Sequence, residues 1–165
     1  MFQVNDIVRY GMSGVCKISE VIVRNIGGEQ QEYFVLRPVH DARSTLFVPL
    51  NNDLLMGRMQ TVLSKQDIQD LMDAIPTLDS EWIKEDALRR TRFKEILQGD
   101  DRTQLAMLIK MVYKREQFLR NSGKKLRLDD EKTLRTAEKL LYDELAFVLQ
   151  SPTDQVSRLM REKME

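Results

Sequence analysis

The sequence predicts an α+β protein of two parts, a small antiparallel β-barrel or strongly bent sheet followed by an all-α bundle of about five helices. Three observations carry this reading. Over the first sixty residues, apolar side chains recur with a short period between glycine- and proline-containing breaks. Past Ser64 the period lengthens to that of a helix. The junction, near residues 52–64, is short, and it sets the two domains at 1–58 and 59–165.

The strand candidates come first. "DIVRYG" alternates apolar and polar residues, and "GVCKISEVIVRN" sets Val15, Val21 and Val23 among polar neighbours. "EYFVLRPV" and "STLFVPL" are short runs rich in β-branched and aromatic residues. Gly11 and Gly14, then Gly27-Gly28, then "HDARS" separate them. The Gly27-Gly28 pair suits a hairpin, because glycine takes positive φ without steric cost. Four or five strands at this spacing indicate a small barrel or bent sheet, which has little core of its own and is expected to depend on its neighbour.

The helices follow. "SKQDIQDLMDAI" opens on Ser64 as a cap and places Ile68, Leu71, Met72 and Ile75 on one face, with Pro76 as its stop. Asp79 or Ser80 is the expected cap of a helix running through Gln98, which Gly99 ends. A third helix is expected from Arg102 to Arg120, with Leu105, Leu108, Ile109, Val112 and Leu119 apolar, and "NSGKK" breaks it. "LDDEKTLRTAEKLLYDELAFVLQ" begins with acidic residues, favourable at the positive end of a helix dipole. Pro152 suits the first turn of a last short helix.

The chain has 165 residues, with 26 basic and 26 acidic side chains, so net charge points to no partner. The distribution is uneven. Residues 84–127 hold thirteen basic and six acidic residues, whereas residues 65–83 hold one and five. A basic middle segment is where a nucleic-acid contact is sought; the plainer reading is a solvated helical face beside acidic neighbours. The single Cys16 excludes an internal disulfide framework and a multi-cysteine metal site, and its apolar surroundings predict a buried structural thiol. Neither a signal-peptide pattern nor a membrane-length apolar run occurs, so a soluble intracellular protein is expected.

Reactive groups do not converge. His40 lies beside Asp41 in "PVHDARS", but no nucleophile motif accompanies it, and an exposed loop histidine is the expected reading. No phosphate-cradling glycine loop, HExxH or Cys/His cluster is present, and "LDDEK" reads as helix capping. No enzyme activity, metal or cofactor is expected. Binding signals are richer. Trp82, the sole tryptophan, precedes Lys84, Arg89, Arg90 and Arg92, and Lys110, Lys114, Arg115, Arg120, Lys124, Lys125 and Arg127 follow. Such cations neutralise phosphates, and an apolar side chain among them can wedge into a deformed minor groove. The residues alone leave Trp82 open between wedge and core anchor.

"FQVNDIVRYGMSGVCKISEV", "GGEQQEYFVLRPV" and "TLFVPL", followed by a helical half with "W…RR…ILQGD", resemble the CarD/CdnL family of bacterial transcription regulators. The likeness covers nearly the whole chain. Its most specific parts are Phe2, Val4, Asp6, Val8 and Tyr10 at alternate positions, the "GEQQEYFVL" run, Val48-Pro49 and Gly99-Asp100. The β half is also similar to the polymerase-interacting module of transcription-repair coupling factors.

The resemblance implies a Tudor-like N-terminal barrel that binds the RNA polymerase β subunit, with Arg24, Ile26 and Phe47 at the contact. Phe47 stands where relatives often carry a basic residue. It further implies a helical domain that touches promoter DNA at the upstream edge of the bubble with weak sequence preference. Trp82 would be the minor-groove wedge, with Lys84, Arg90, Arg115 and Lys132 at basic family positions, while the register among Arg89, Arg90 and Arg92 stays open. A bacterial cytoplasmic protein associated with the nucleoid through polymerase follows, as a monomer, with a domain-swapped dimer as the alternative state. The competing function is a polymerase-tethered adaptor whose helical half binds another protein.

Overall fold

The structure is a computed structural model that describes all 165 residues. The chain divides into two compact units, Met1–Val62 and Leu63–Glu165. The sequence had set the division after residue 58; residues 59–61 instead complete the sheet.

The first unit holds β1 (Ile7–Tyr10), β2 (Val15–Ile26), β3 (Glu29–Pro38), β4 (Leu46–Pro49), a one-turn helix α1 (Asp53–Met56) and β5 (Met59–Thr61). All pairings are antiparallel, in the order β4-β3-β2-β1-β5. The sheet is open, with β4 and β5 at opposite edges, and does not close into the expected barrel. With three to twelve residues in each strand, only β2 and β3 are long, and their shared hairpin runs beyond the others. Gly27 and Gly28 turn that hairpin with φ of 62° and 85°, as a type I′ turn demands. A register shift between Ile18 and Glu20 marks an irregularity in β2.

One face of this sheet makes the core: Val8, Cys16, Ile18, Phe34, Leu36, Val48 and Met59 are buried together. Cys16 is the buried thiol the sequence predicts, and burial pushes its pKa up to about 11. The strand Met59–Thr61 and helix Asp53–Met56 were not anticipated, because three- and four-residue elements show too little period.

The second unit is a five-helix bundle: α2 (Lys65–Ala74), α3 (Asp86–Gln98), α4 (Arg102–Asn121), α5 (Leu128–Leu149) and α6 (Thr153–Met164). Ser64 caps α2 through a full capping box with Asp67. Pro76 lies in a 3-10 turn, Ile75–Thr77, that follows it. Asp101 caps α4 by accepting from the backbone of Thr103 and Gln104. Leu105, Ile109, Leu134, Leu141, Leu145 and Met160 sit in one buried cluster with the inner faces of α2 and α3. Glu144, fully buried, accepts from the Leu63 backbone N–H at 3.0 Å and from Arg102 at 3.0 and 2.9 Å, which ties the start of the unit to α5. No helix is long and apolar enough to cross a membrane.

The largest departure from expectation lies before α3. That helix starts at Asp86, not at Asp79 or Ser80. Asp79 spends its carboxylate on the Glu81 backbone N–H, in a local turn. Ile83 presents its carbonyl to Arg89 rather than to a helix. Trp82 therefore sits on an irregular segment before the helix.

Candidate nucleic-acid interface

α3 presents Arg89, Phe93 and Ile96 inward at positions i, i+4 and i+7, so an arginine occupies the first inner site. Arg89 is 1% exposed. Its Nε and one terminal nitrogen donate to the two oxygens of Asp130, each at 3.0 Å. It also donates to Asp86 at 2.9 Å and to the Ile83 carbonyl at 2.9 Å. Desolvation opposes its charge, but the Asp130 and Asp86 hydrogen bonds outweigh that and raise its pKa.

Trp82 rests on this buried cation. The Arg89 guanidinium carbon lies 4.6 Å from the indole centroid, and that of Arg115, from α4, lies 5.4 Å away. Phe93 meets the indole edge-on at 6.3 Å. The ring is half-buried against the core rather than free of it. It is thus fixed in position while keeping part of its surface in solvent.

Around it the expected DNA-contacting residues separate into two groups. Arg89 is a structural cation whose donors are spent inside the protein, and it presents nothing to a phosphate; this corrects its assignment to the binding face. Lys110 is likewise internal, 3% exposed, donating to the carbonyls of Ile75, Pro76 and Leu78 at 2.8, 3.0 and 2.9 Å. Burial, with a smaller contribution from Lys114, lowers its pKa. The other group faces solvent. Lys84 and Lys132 are exposed. Arg90 pairs with Asp129 at 2.8 Å, with both side chains about half exposed. Arg92 reaches Glu95 only at 3.8 Å, and Arg115 is half-buried beneath the aromatic rings. Lys132 stands one helical turn from Asp129, beside the Arg90 pair.

Asp86 accepts from both Arg89 and Arg127, and its pKa is lowered, first by the Arg89 hydrogen bond. That of Asp129 is lowered chiefly by the Arg90 hydrogen bond. The Arg90–Asp129 pair is exposed on both sides and contributes little, so Arg90 can exchange partners at little cost.

Sequence reasoning missed two contributors: Asp130 and Phe118. Phe118 is 60% exposed, and its ring centroid lies 5.1 Å from the Arg115 guanidinium carbon. The signal was present in "KREQFLR", an aromatic interleaved with cations.

In the first unit the proposed polymerase-contact residues share one face. Val35 pairs with both Glu20 and Phe47, and Arg24 with Gln31. Because faces alternate along a strand, Ile22, Arg24 and Ile26 lie on the Phe47 side. The Arg24 guanidinium carbon sits 4.8 Å from the Phe47 ring centroid. Phe47 and Ile26 are about half exposed. Arg24 and Phe47 therefore make a cation–aromatic contact on this face, with Ile26 farther along the same side of β2, and β4 is an edge strand.

Residues 2–62, nearly all of the first unit, match the CarD-like/TRCF RID domain, a family of RNA polymerase-interacting domains. No curated protein matches the chain.

Proposed function

We propose that this protein regulates transcription initiation without enzymatic activity. Its β unit, read as Tudor-like despite the open sheet, binds the RNA polymerase β subunit. Its helical unit contacts promoter DNA at the upstream edge of the melted region and stabilises the open complex. The observation that carries the DNA part is the Trp82 ring held by contacts with Arg89 and Arg115, since a wedge must be positioned before it is useful. The polymerase part rests on the domain match and on the exposed Arg24–Phe47 contact, with Ile26 on the same face.

Energetically the proposal is modest. A factor that prefers the open to the closed complex shifts their ratio by its differential affinity, tenfold for about 1.4 kcal/mol. Tethering to polymerase raises the effective concentration of a weak DNA-binding face. Lys84, Arg90, Arg92, Arg115 and Lys132 then need only neutralise phosphates. The site of action is the bacterial cytoplasm, on polymerase, and the acting species is a monomer.

A second reading has one observation in its favour: Trp82 is half-buried with its edge on Phe93, as a structural tryptophan would be. In that reading the helical unit is an adaptor for another protein. Capture of purified polymerase by the full chain tests the first half. Wild type should retain polymerase, and Arg24→Glu should weaken capture at least about tenfold, as a charge reversal at a cation-bearing contact does. No capture by wild type would overturn the assignment of the β unit.

A further inference from the structure

Phe118 is a large apolar side chain left in solvent on α4, and the surface around it is one-signed. Its helical neighbours at i−4, i−3, i+3 and i+4 are Lys114, Arg115, Asn121 and Ser122. Residues 114–125 carry five basic side chains and one acidic, Glu116, which is engaged by Arg135 at 3.2 Å. Arg115 forms no ion pair, and its guanidinium lies against two rings, 5.4 Å from Trp82 and 5.1 Å from Phe118. Trp82, Arg115 and Phe118 are thus a continuous run of planar groups, spaced no more than about three base steps from end to end at ~3.4 Å per step.

We propose that Phe118, backed by Arg115, is a stacking platform for an unpaired nucleobase, so that the Trp82 surface takes a duplex with a single-stranded arm in preference to blunt duplex. The proposal rests on the reading of Trp82 as a DNA contact and adds the chemistry of a second subsite. Inside a duplex a base offers only its edges to a protein, whereas an unpaired base offers its π-face. An exposed ring among cations, with no free carboxylate among its helical neighbours, matches that face and the phosphates on either side of it. An acidic or apolar protein segment would match the charge or the ring but would gain nothing from aromatic stacking.

The test is titration of the full-length protein at low salt against three labelled DNAs: a blunt duplex, the same duplex with a short single-stranded arm, and that probe with abasic sites in the arm. Wild type should bind the armed probe at least about fivefold tighter than the other two, the low end of one stacked base. Phe118→Ala and Phe118→Leu should lose this preference while melting like wild type, because the side chain is 60% exposed. Phe118→Trp should keep it. If Phe118→Ala keeps the preference and Trp82→Ala abolishes it, the Trp82 reading stands and the second subsite is refuted. If Phe118→Leu keeps it, apolar packing replaces stacking and the proposal falls. If wild type binds none of the probes, the DNA reading of the helical unit fails, and this inference fails with it.

Discussion

Arg89 and Asp130 meet through two 3.0 Å hydrogen bonds in the interior of the helical unit, and the same guanidinium carbon lies 4.6 Å from the Trp82 ring centroid. The pair joins the start of α3 to the start of α5 and sets the indole at the same time. A buried pair of this geometry is costly to break from one side, because the remaining charge keeps its desolvation penalty.

Arg89→Met should therefore lower stability by about 3–5 kcal/mol, as removal of one partner from a buried pair does. Urea denaturation would read this. Arg89→Met combined with Asp130→Leu should recover part of the loss, and Trp82 emission should change in both variants. An effect below about 1 kcal/mol in the single variant would show the pair to be dispensable.

Lys110 makes a separate claim. Its ammonium group satisfies three carbonyls of the 3-10 turn that follows α2, at 2.8–3.0 Å. Lys110→Met keeps most of the stem and leaves those carbonyls short of a donor, so a loss of about 1–3 kcal/mol is expected. Hydrogen exchange should quicken first around residues 75–78. Unchanged exchange there would refute the role.

Acid should loosen the surroundings of Trp82 in a defined window. The carboxyls of Asp86 and Asp129 have pKa values below the ordinary range, because Arg89 and Arg90 respectively hydrogen-bond to the ionised forms. A depressed carboxyl contributes stability that is present above its unfolded pKa, about 3.9, and is lost as pH falls through its folded value. Stability should thus hold from neutrality to about pH 4 and decline below it. Asp86→Asn should reduce the size of that decline, which pH-dependent urea midpoints would measure.

Much of this was legible because local chemistry and tertiary structure agree. Ser64 and Gly27-Gly28 sit at a cap and a hairpin turn respectively, where a side chain or backbone freedom satisfies groups nearby in sequence. The exposed cations were harder to sort from the buried ones, since charge in a sequence carries no sign of burial. For Arg89 a clue existed: it shares the inward spacing of Phe93 and Ile96. Lys110 gave a similar clue, standing inside the apolar run "LAMLIKMVY". Asp130, forty-one residues from Arg89, gave none, because ion pairing across that distance depends on the packing of α3 against α5. The start of α3 was misplaced for a different, local reason. Asp79 resembles a cap, but its turn onto the Glu81 N–H and the Arg89 hydrogen bond to the Ile83 carbonyl, six residues back, keep residues 79–85 out of the helix.

The most direct test of the central claim is the lifetime of open promoter complexes with polymerase alone, with this protein, and with Trp82→Ala of confirmed fold and polymerase binding. The account predicts that wild type prolongs the lifetime and that the variant largely fails to. Equal prolongation by both proteins, or none by wild type on several promoters, would contradict it.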